Sequence, residues 1–294
     1  MVLAMRETGQ ALFRWTGPSG LSLVASVFGD PNSPPIVFVH GGGQSRHAWR
    51  RTAQAAAAAG YFALAVDQRG HGDSEWDDGG DYSPTAIAGD LQVLLCLLGR
   101  PAVVVGASRG GYAALLAASE AGRKARALVL VEIAPKIDQS GAAQVRWFMQ
   151  SSTAGFADID EAVSALESYR RDGMRKDPEQ VRRSMRRSED GRWYWRWDPR
   201  LANGTAAAAE RLESELSEAA SRLTCPLLLI RGEHSNIVRE EHAAHLKSLV
   251  SGVRIVSIPG AGHMVSGEDN DPFDAAILEF LRELAHGSNL EVPA

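Results

Sequence analysis

The chain has 294 residues, 31 Lys and Arg against 36 Asp and Glu, a formal net charge of -5, and 45 % hydrophobic residues. That apolar share excludes a disordered chain, and the mildly acidic balance argues against a nucleic-acid binder, which presents a basic face. The length allows one large domain, or a core of about 200 residues or more with a smaller insertion.

The first residues, Met1 to Arg6, lack a basic start followed by a long apolar run, so no signal peptide is read. No apolar run approaches the roughly 20 residues that span a bilayer. Cys96 and Cys225 sit in no redox or metal spacing. These points lead to the expectation of a cytoplasmic protein with reduced thiols and no membrane or nucleic-acid partner. In that setting the Asn203 sequon, completed by Thr205, has no secretory context.

In chain order, residues 11–15 and 21–28 flank a Gly17–Gly20 turn and predict an antiparallel hairpin. Six short, nearly continuous apolar runs follow, at 36–39, 61–66, 102–105, 127–133, 226–230 and 253–258. Strands buried on both faces of a parallel sheet have this composition. Helix-length stretches lie between them, at 44–59, 84–98, 109–121, 206–222, 239–250 and 272–285. The alternation predicts an α/β fold, a doubly wound and mostly parallel sheet of eight strands with the hairpin attached.

Residues 135–204 break the rhythm with charged helical patterns. They hold Arg170, Arg171, Arg175, Lys176, Arg182, Arg183, Arg186 and Arg187, and four of the seven tryptophans, Trp147, Trp193, Trp195 and Trp197. The expected organisation is therefore a core of residues 1–134 and 205–294, with 135–204 inserted as a helical lid, or cap, over the carboxyl edge of the sheet. Ligands of open α/β sheets bind at that edge. The alternation of Trp193, Trp195 and Trp197 puts three indoles on one face of an extended segment, a pocket wall suited to an apolar or aromatic substrate.

Gly106, Ser108 and Gly110 make a G-x-S-x-G between a strand and a helix. A strand–turn–helix elbow needs those glycines for a strained turn, and it presents the Ser108 hydroxyl at a helix N-terminus. Of the eight histidines, His263 is the best base, in a glycine-rich loop after the last strand. His242 and His245 share a helix face but lack a third ligand, so no metal site is read. His40 to Gly43 follows the 36–39 strand. The amide of Gly42, or of its neighbour Gly41, joins that of Arg109 as the expected oxyanion hole.

These motifs, with Asp67 to Ser74 between them, resemble the α/β-hydrolase superfamily, in particular its lidded epoxide hydrolase-like and non-haem haloperoxidase-like members. The resemblance spans about residues 12–284. It implies a serine that attacks an acyl carbon, a histidine that relays the proton, a carboxylate that orients the histidine, and no cofactor. The usual carboxylate position after the seventh strand holds Ser235 and Asn236. Glu132, at the end of the preceding strand and 24 residues after Ser108, is the favoured acid; Glu233 is an alternative, and the site lacking a full triad is another. The function expected is hydrolysis of an ester or lactone of a small molecule through an acyl-enzyme. The alternatives are a C–C bond hydrolase or lyase using the same serine and histidine, and a non-catalytic binder that has lost its acid.

Overall fold

The computed structural model describes residues 3–5, 11–120, 122–170, 177–203, 206–263 and 271–287. Arg171, Arg175 and Lys176 of the basic stretch, and Thr205 of the sequon, lie outside them. Strands β1 (Leu3–Met5), β2 (Ala11–Thr16), β3 (Ser22–Phe28), β4 (Pro35–Val39), β5 (Phe62–Asp67), β6 (Ala102–Ala107), β7 (Ala125–Val131), β10 (Leu227–Gly232) and β11 (Arg254–Ile258) form one sheet. Its order is β1-β2-β3-β5-β4-β6-β7-β10-β11. From β5 to β11 the neighbours are parallel, while β1, β2 and β3 continue it antiparallel. The expected eight strands are present, and the short β1 extends the antiparallel edge by one.

Period-two alternation splits each central strand between two cores. Val37, Val104, Leu128 and Leu229 face one core, which helices α2 (Pro84–Leu98), α3 (Arg109–Glu120), α7 (Ala206–Ser221) and α8 (Glu240–Leu249) close. Phe38, Val105, Val129 and Ile230 face the other, closed by α1 (Arg50–Ala58) and α9 (Asp271–His286) through Ala53, Phe273 and Phe280. Burial on both faces explains why the strands read as unbroken apolar runs.

Between β7 and α7, helices α4 (Gln139–Ser151), α5 (Ile159–Arg170) and α6 (Pro178–Arg183) build a third cluster around Phe156, Val163 and Trp195. This segment is not wholly helical: β8 (Met185–Arg187) pairs antiparallel with β9 (Trp193–Trp195). Main-chain bonds from Gly72 N–H to the Arg196 carbonyl (2.7 Å) and from Asp198 N–H to the Gly70 carbonyl (2.8 Å) tie it to the loop after β5. Arg196 also pairs with Asp73, which holds Arg46 in turn. Among the described residues, no helix is long and apolar enough to cross a membrane.

The chain order changes direction at β4, so β4 and β6 are adjacent while their following loops diverge. That switch point is where open α/β sheets form a crevice. Two buried histidines shape its wall. His40 Nδ1–H donates to the Gly41 carbonyl at 2.7 Å, and its Nε2 accepts from Gln68 N–H at 3.1 Å. His71 Nδ1–H donates to the Arg69 carbonyl at 3.1 Å, and its Nε2 accepts from Gly43 N–H at 3.3 Å. Each ring is thus a neutral tautomer fixed by main-chain partners, and the two meet edge to face at 4.8 Å.

Burial holds His40 below the usual imidazole range against the pull of Asp67, and holds His71 well below it, with His40 adding to the effect. An imidazole with a depressed folded value protonates more readily in the unfolded chain. Its stabilisation is therefore complete above the unfolded value of about 6.5 and is lost as pH falls toward the folded one. Between pH 7.5 and 5.5, above the main carboxylate range, urea unfolding is expected to show a loss of stability, with a ceiling of about 1.4 kcal/mol per ring. The loss is expected to shrink by about 1 kcal/mol in His71→Asn; an unchanged slope in that variant would remove His71 from the account.

Candidate active site

Ser108 follows β6 directly and adopts φ 47°, a left-handed conformation that side chains other than glycine rarely take. The turn is enforced by crowding. A Cβ on Gly110 would lie 2.2 Å from the His40 carbonyl oxygen, and one on Gly111 would lie 2.3 Å from Ile133 Cγ2. Ser108 N–H donates to the Val131 carbonyl at 2.9 Å, and the Ser108 carbonyl accepts from Gly111 N–H at 2.8 Å to start α3. The hydroxyl therefore stands at the carboxyl edge, at the N-terminus of a helix.

Glu132 repeats this arrangement one strand over. It follows β7 directly, has φ 55°, and its N–H donates to the Ile230 carbonyl at 2.9 Å. Among the described residues, Ser108 and Glu132 are the two non-glycine positions with positive φ. Strain of this kind costs on the order of 1–3 kcal/mol per residue and persists where surrounding structure over-determines it. The Glu132 side chain is buried, and three donors converge on it. Oε1 accepts from Gly232 N–H; Oε2 accepts from Ser235 Oγ–H at 2.5 Å and from His263 Nδ1–H at 3.1 Å. Ser235 Oγ accepts in turn from Ile237 N–H (3.1 Å) and Val238 N–H (3.0 Å).

His263 hangs on a loop packed against the end of β10. His234 N–H donates to the Ala261 carbonyl at 2.9 Å, and a Cβ on Gly232 would fall 2.3 Å from the Gly262 carbonyl oxygen. Glu233 serves that loop rather than the imidazole: it is exposed and accepts from Gly260 N–H at 2.9 Å. Asn236 is exposed too and points at α4, where its Nδ2–H donates to Gln144 Oε1 at 3.1 Å. The geometry thus brings Glu132 to His263 and leaves Glu233 and Asn236 away from it.

In the loop after β4, Gly41 N–H donates to Gln44 Oε1 at 2.9 Å and Gly43 N–H to His71. Of the three glycine amides, that of Gly42 has no acceptor among the described residues, and a Cβ there would lie 3.6 Å from Arg109 Cδ. Sequence reasoning missed Ser235, Gln44 and the two histidines as organisers.

Two cavities meet at this point. One, of about 200 Å³, is lined by Gly41, Glu132, Phe148, Tyr169, Trp195 and Trp197. The other, of about 540 Å³, is lined by Tyr82, Arg109, Tyr112, Ile137, Leu201 and Leu216. Gly42, Ser108, Val145, Met149 and His263 line both. Of the expected aromatic wall, Trp195 and Trp197 line the smaller limb, while Trp193 lies under Arg182 at 5.7 Å and lines neither. Trp147 is 66 % exposed and also lines neither limb, because the helical period of α4 turns Val145, Phe148 and Met149 inward and Trp147 out. His242 caps α8, its Nδ1 accepting from Arg239 N–H at 3.0 Å.

Residues 34–269 match the alpha/beta hydrolase fold family. The chain is 29 % identical to the esterase Rv0045c of Mycobacterium tuberculosis, over 85 % of this chain and 82 % of that protein. It is 30 % identical to 2-(acetamidomethylene)succinate hydrolase of Mesorhizobium japonicum, over 75 % and 78 %. A solved E-2-(acetamidomethylene)succinate hydrolase superposes with a TM-score of 0.80 at 24 % identity, covering 93 % of this chain and 99 % of that one, a likeness of fold. On the strength of a family match across most of its length, together with hydrolase relatives, the chain belongs to the α/β-hydrolase family and is a hydrolase.

Proposed function

We propose that the protein is a serine hydrolase that cleaves an ester or lactone of a small molecule through an acyl-enzyme, with residues 135–204 as its lid. The observation that carries this reading is the buried Glu132 carboxylate on His263 Nδ1, in a cavity that Ser108 enters from its strained elbow.

Bonding Nδ1–H to a carboxylate leaves Nε2 unprotonated, the state a general base requires. In the first half-reaction Ser108 Oγ attacks the acyl carbon while His263 Nε2 takes the hydroxyl proton. The oxyanion is met by the amides of Gly42 and Arg109, a contribution of about 10²–10³ in rate per donor. Collapse breaks the bond to the leaving alcohol, which receives the proton from His263. Water then gives its proton to His263 and attacks the acyl carbon, releasing the acid and restoring Ser108. Glu132 holds the imidazolium by a charge-assisted bond, about twice as strong as a neutral one. A site that had lost its acid would favour the non-catalytic reading, and the Glu132 arrangement speaks against that loss.

Three variants test the assignment against p-nitrophenyl butyrate and a γ-lactone. Ser108→Ala is expected to abolish fluorophosphonate labelling and to lower kcat/KM by more than about 10⁴-fold; retained labelling would point to another nucleophile. Glu132→Gln is expected to lower kcat by about 10²–10⁴-fold, while Asn236→Asp stays within about twofold. The reverse pattern would move the acid to position 236. Ser235→Ala removes one donor to Glu132 and its own two amide bonds. It is expected to lower kcat by about 3–10-fold and stability by about 1–2 kcal/mol; wild-type values in both measurements would show Ser235 to be a bystander.

A further inference from the structure

Three features outside the proposed reaction stand out: the basic residues of the inserted segment, the bulk of the larger limb, and the Arg109 side chain. Two described residues of the first are engaged with rings. Arg182 stacks on Trp193, and Arg186 lies over Trp76 and Tyr194. Arg109 is not engaged in this way. Its stem runs beside Gly42, and the residue lines the same limb as Ser108 and His263.

There the guanidinium has one protein acceptor, the Tyr82 main-chain carbonyl, which takes Nη2–H. Nε is sealed from solvent with no hydrogen-bond partner. Nη1 has no acceptor among the described residues. Asp81 acts on it by charge but makes no ion-pair contact with it, and accepts from Ser83 N–H at 3.0 Å. Arg46 and Arg69, also buried at this edge, each hold a carboxylate, Asp67 and Asp90, while the buried Arg231 directs its donors to the Val238 and Glu233 carbonyls and to Ser257 Oγ. Burial pushes Arg109 down to about 10, so it stays charged at neutral pH. A charge taken from water without a counter-charge is costly, and guanidinium geometry suits a planar carboxylate.

We propose that Arg109 is the specificity determinant of this site, and that the substrate carries a carboxylate which seats on it in the larger limb. The inference rests on the serine-hydrolase reading for the position of the scissile bond. Arg109 then does two separate jobs. Its amide meets the oxyanion, and its side chain supplies the counter-charge for a second substrate group. The smaller limb, with Phe148, Tyr169 and Trp195, takes the apolar part on the other side of the acyl carbon.

The test compares anionic esters with neutral isosteres in the wild type, Arg109→Met and Arg109→Lys. Phenyl hemisuccinate and hemiglutarate against phenyl butyrate and valerate place the carboxylate on the acyl side. The acetate of 4-hydroxybenzoate against that of 4-methylphenol places it on the leaving group. The ratio of kcat/KM values within one preparation is independent of the folded fraction. The wild-type ratio is expected to favour the anion in one series. It should fall by about 10- to 100-fold in Arg109→Met, mainly through KM, with Arg109→Lys intermediate. A ratio that Arg109→Met leaves unchanged in both series overturns the proposal.

Binding of succinate, glutarate and benzoate to Ser108→Ala, followed by calorimetry, separates this inference from the reaction it rests on. Binding that disappears in Ser108→Ala/Arg109→Met supports carboxylate recognition even if no ester is turned over. Ester turnover with no carboxylate binding and no anionic preference keeps the hydrolase reading and removes Arg109 as its specificity determinant.

Discussion

The site depends on how two adjacent parallel strands end. β6 and β7 each stop on a left-handed residue, Ser108 and Glu132, and each of those residues gives its N–H to the next strand in the sheet. The sheet's ladder thus extends one step past the regular strands, and that step fixes two side chains along one edge. Neither conformation is favourable for a side chain with a Cβ. Both are held by tight surroundings, glycines 106, 110 and 111 on one side and the β10 loop on the other. Chemistry at this edge therefore draws on the stability of the two cores beneath it.

The same economy governs the loop after β4. A run of three glycines has little intrinsic preference for one conformation, yet a set of amides useful for an oxyanion must be rigid. His40, His71 and Gln44 supply the rigidity from outside the run, each taking or giving a main-chain hydrogen bond. Both imidazoles are kept neutral by burial. A charged ring would have to donate from both nitrogens, and each ring here needs one nitrogen as acceptor. Rigidity of the loop and neutrality of the rings are one property.

The fold was legible because double-sided burial leaves a strong mark: each central strand appears as an apolar run, and each helix between runs has the length to cross back. The elbow at Ser108 and the glycine-rich loop of His263 were legible for a related reason. Glycine spacing is the visible trace of a strained turn, and the resemblance to a known superfamily ordered the motifs. The inserted segment was less readable. The β8–β9 pair is three residues per strand and buries little beyond Met185 and Trp195, so a charged helical pattern masks it. Trp147 was misplaced for a different reason: composition counts an aromatic residue without its helical phase. Arg109 was visible to the sequence only as an amide donor, since nothing local reveals that a side chain will be buried without an ion-pair contact.

In the proposed site, the position of the acid shows how a motif can differ while a geometry persists. At the usual place after β10 stand Ser235 and Asn236: Asn236 turns to Gln144 of α4, and the Ser235 side chain is too short and too weak an acceptor to orient a histidine by charge. Glu132 reaches the same point from the neighbouring strand, carrying one methylene more than an aspartate would. The serine is then not a vestige. It accepts two main-chain N–H bonds and donates its own proton to the carboxylate, so the dipoles of the β10 loop converge on Glu132 Oε2. Adding the Gly232 amide on Oε1, the carboxylate has three donors in a buried setting, which is what an ionised group needs in order to remain there. The requirement the fold preserves is thus a buried, saturated carboxylate at one point beside His263. Which strand supplies it is secondary, because β7 and β10 are hydrogen-bonded neighbours and their ends open onto the same place.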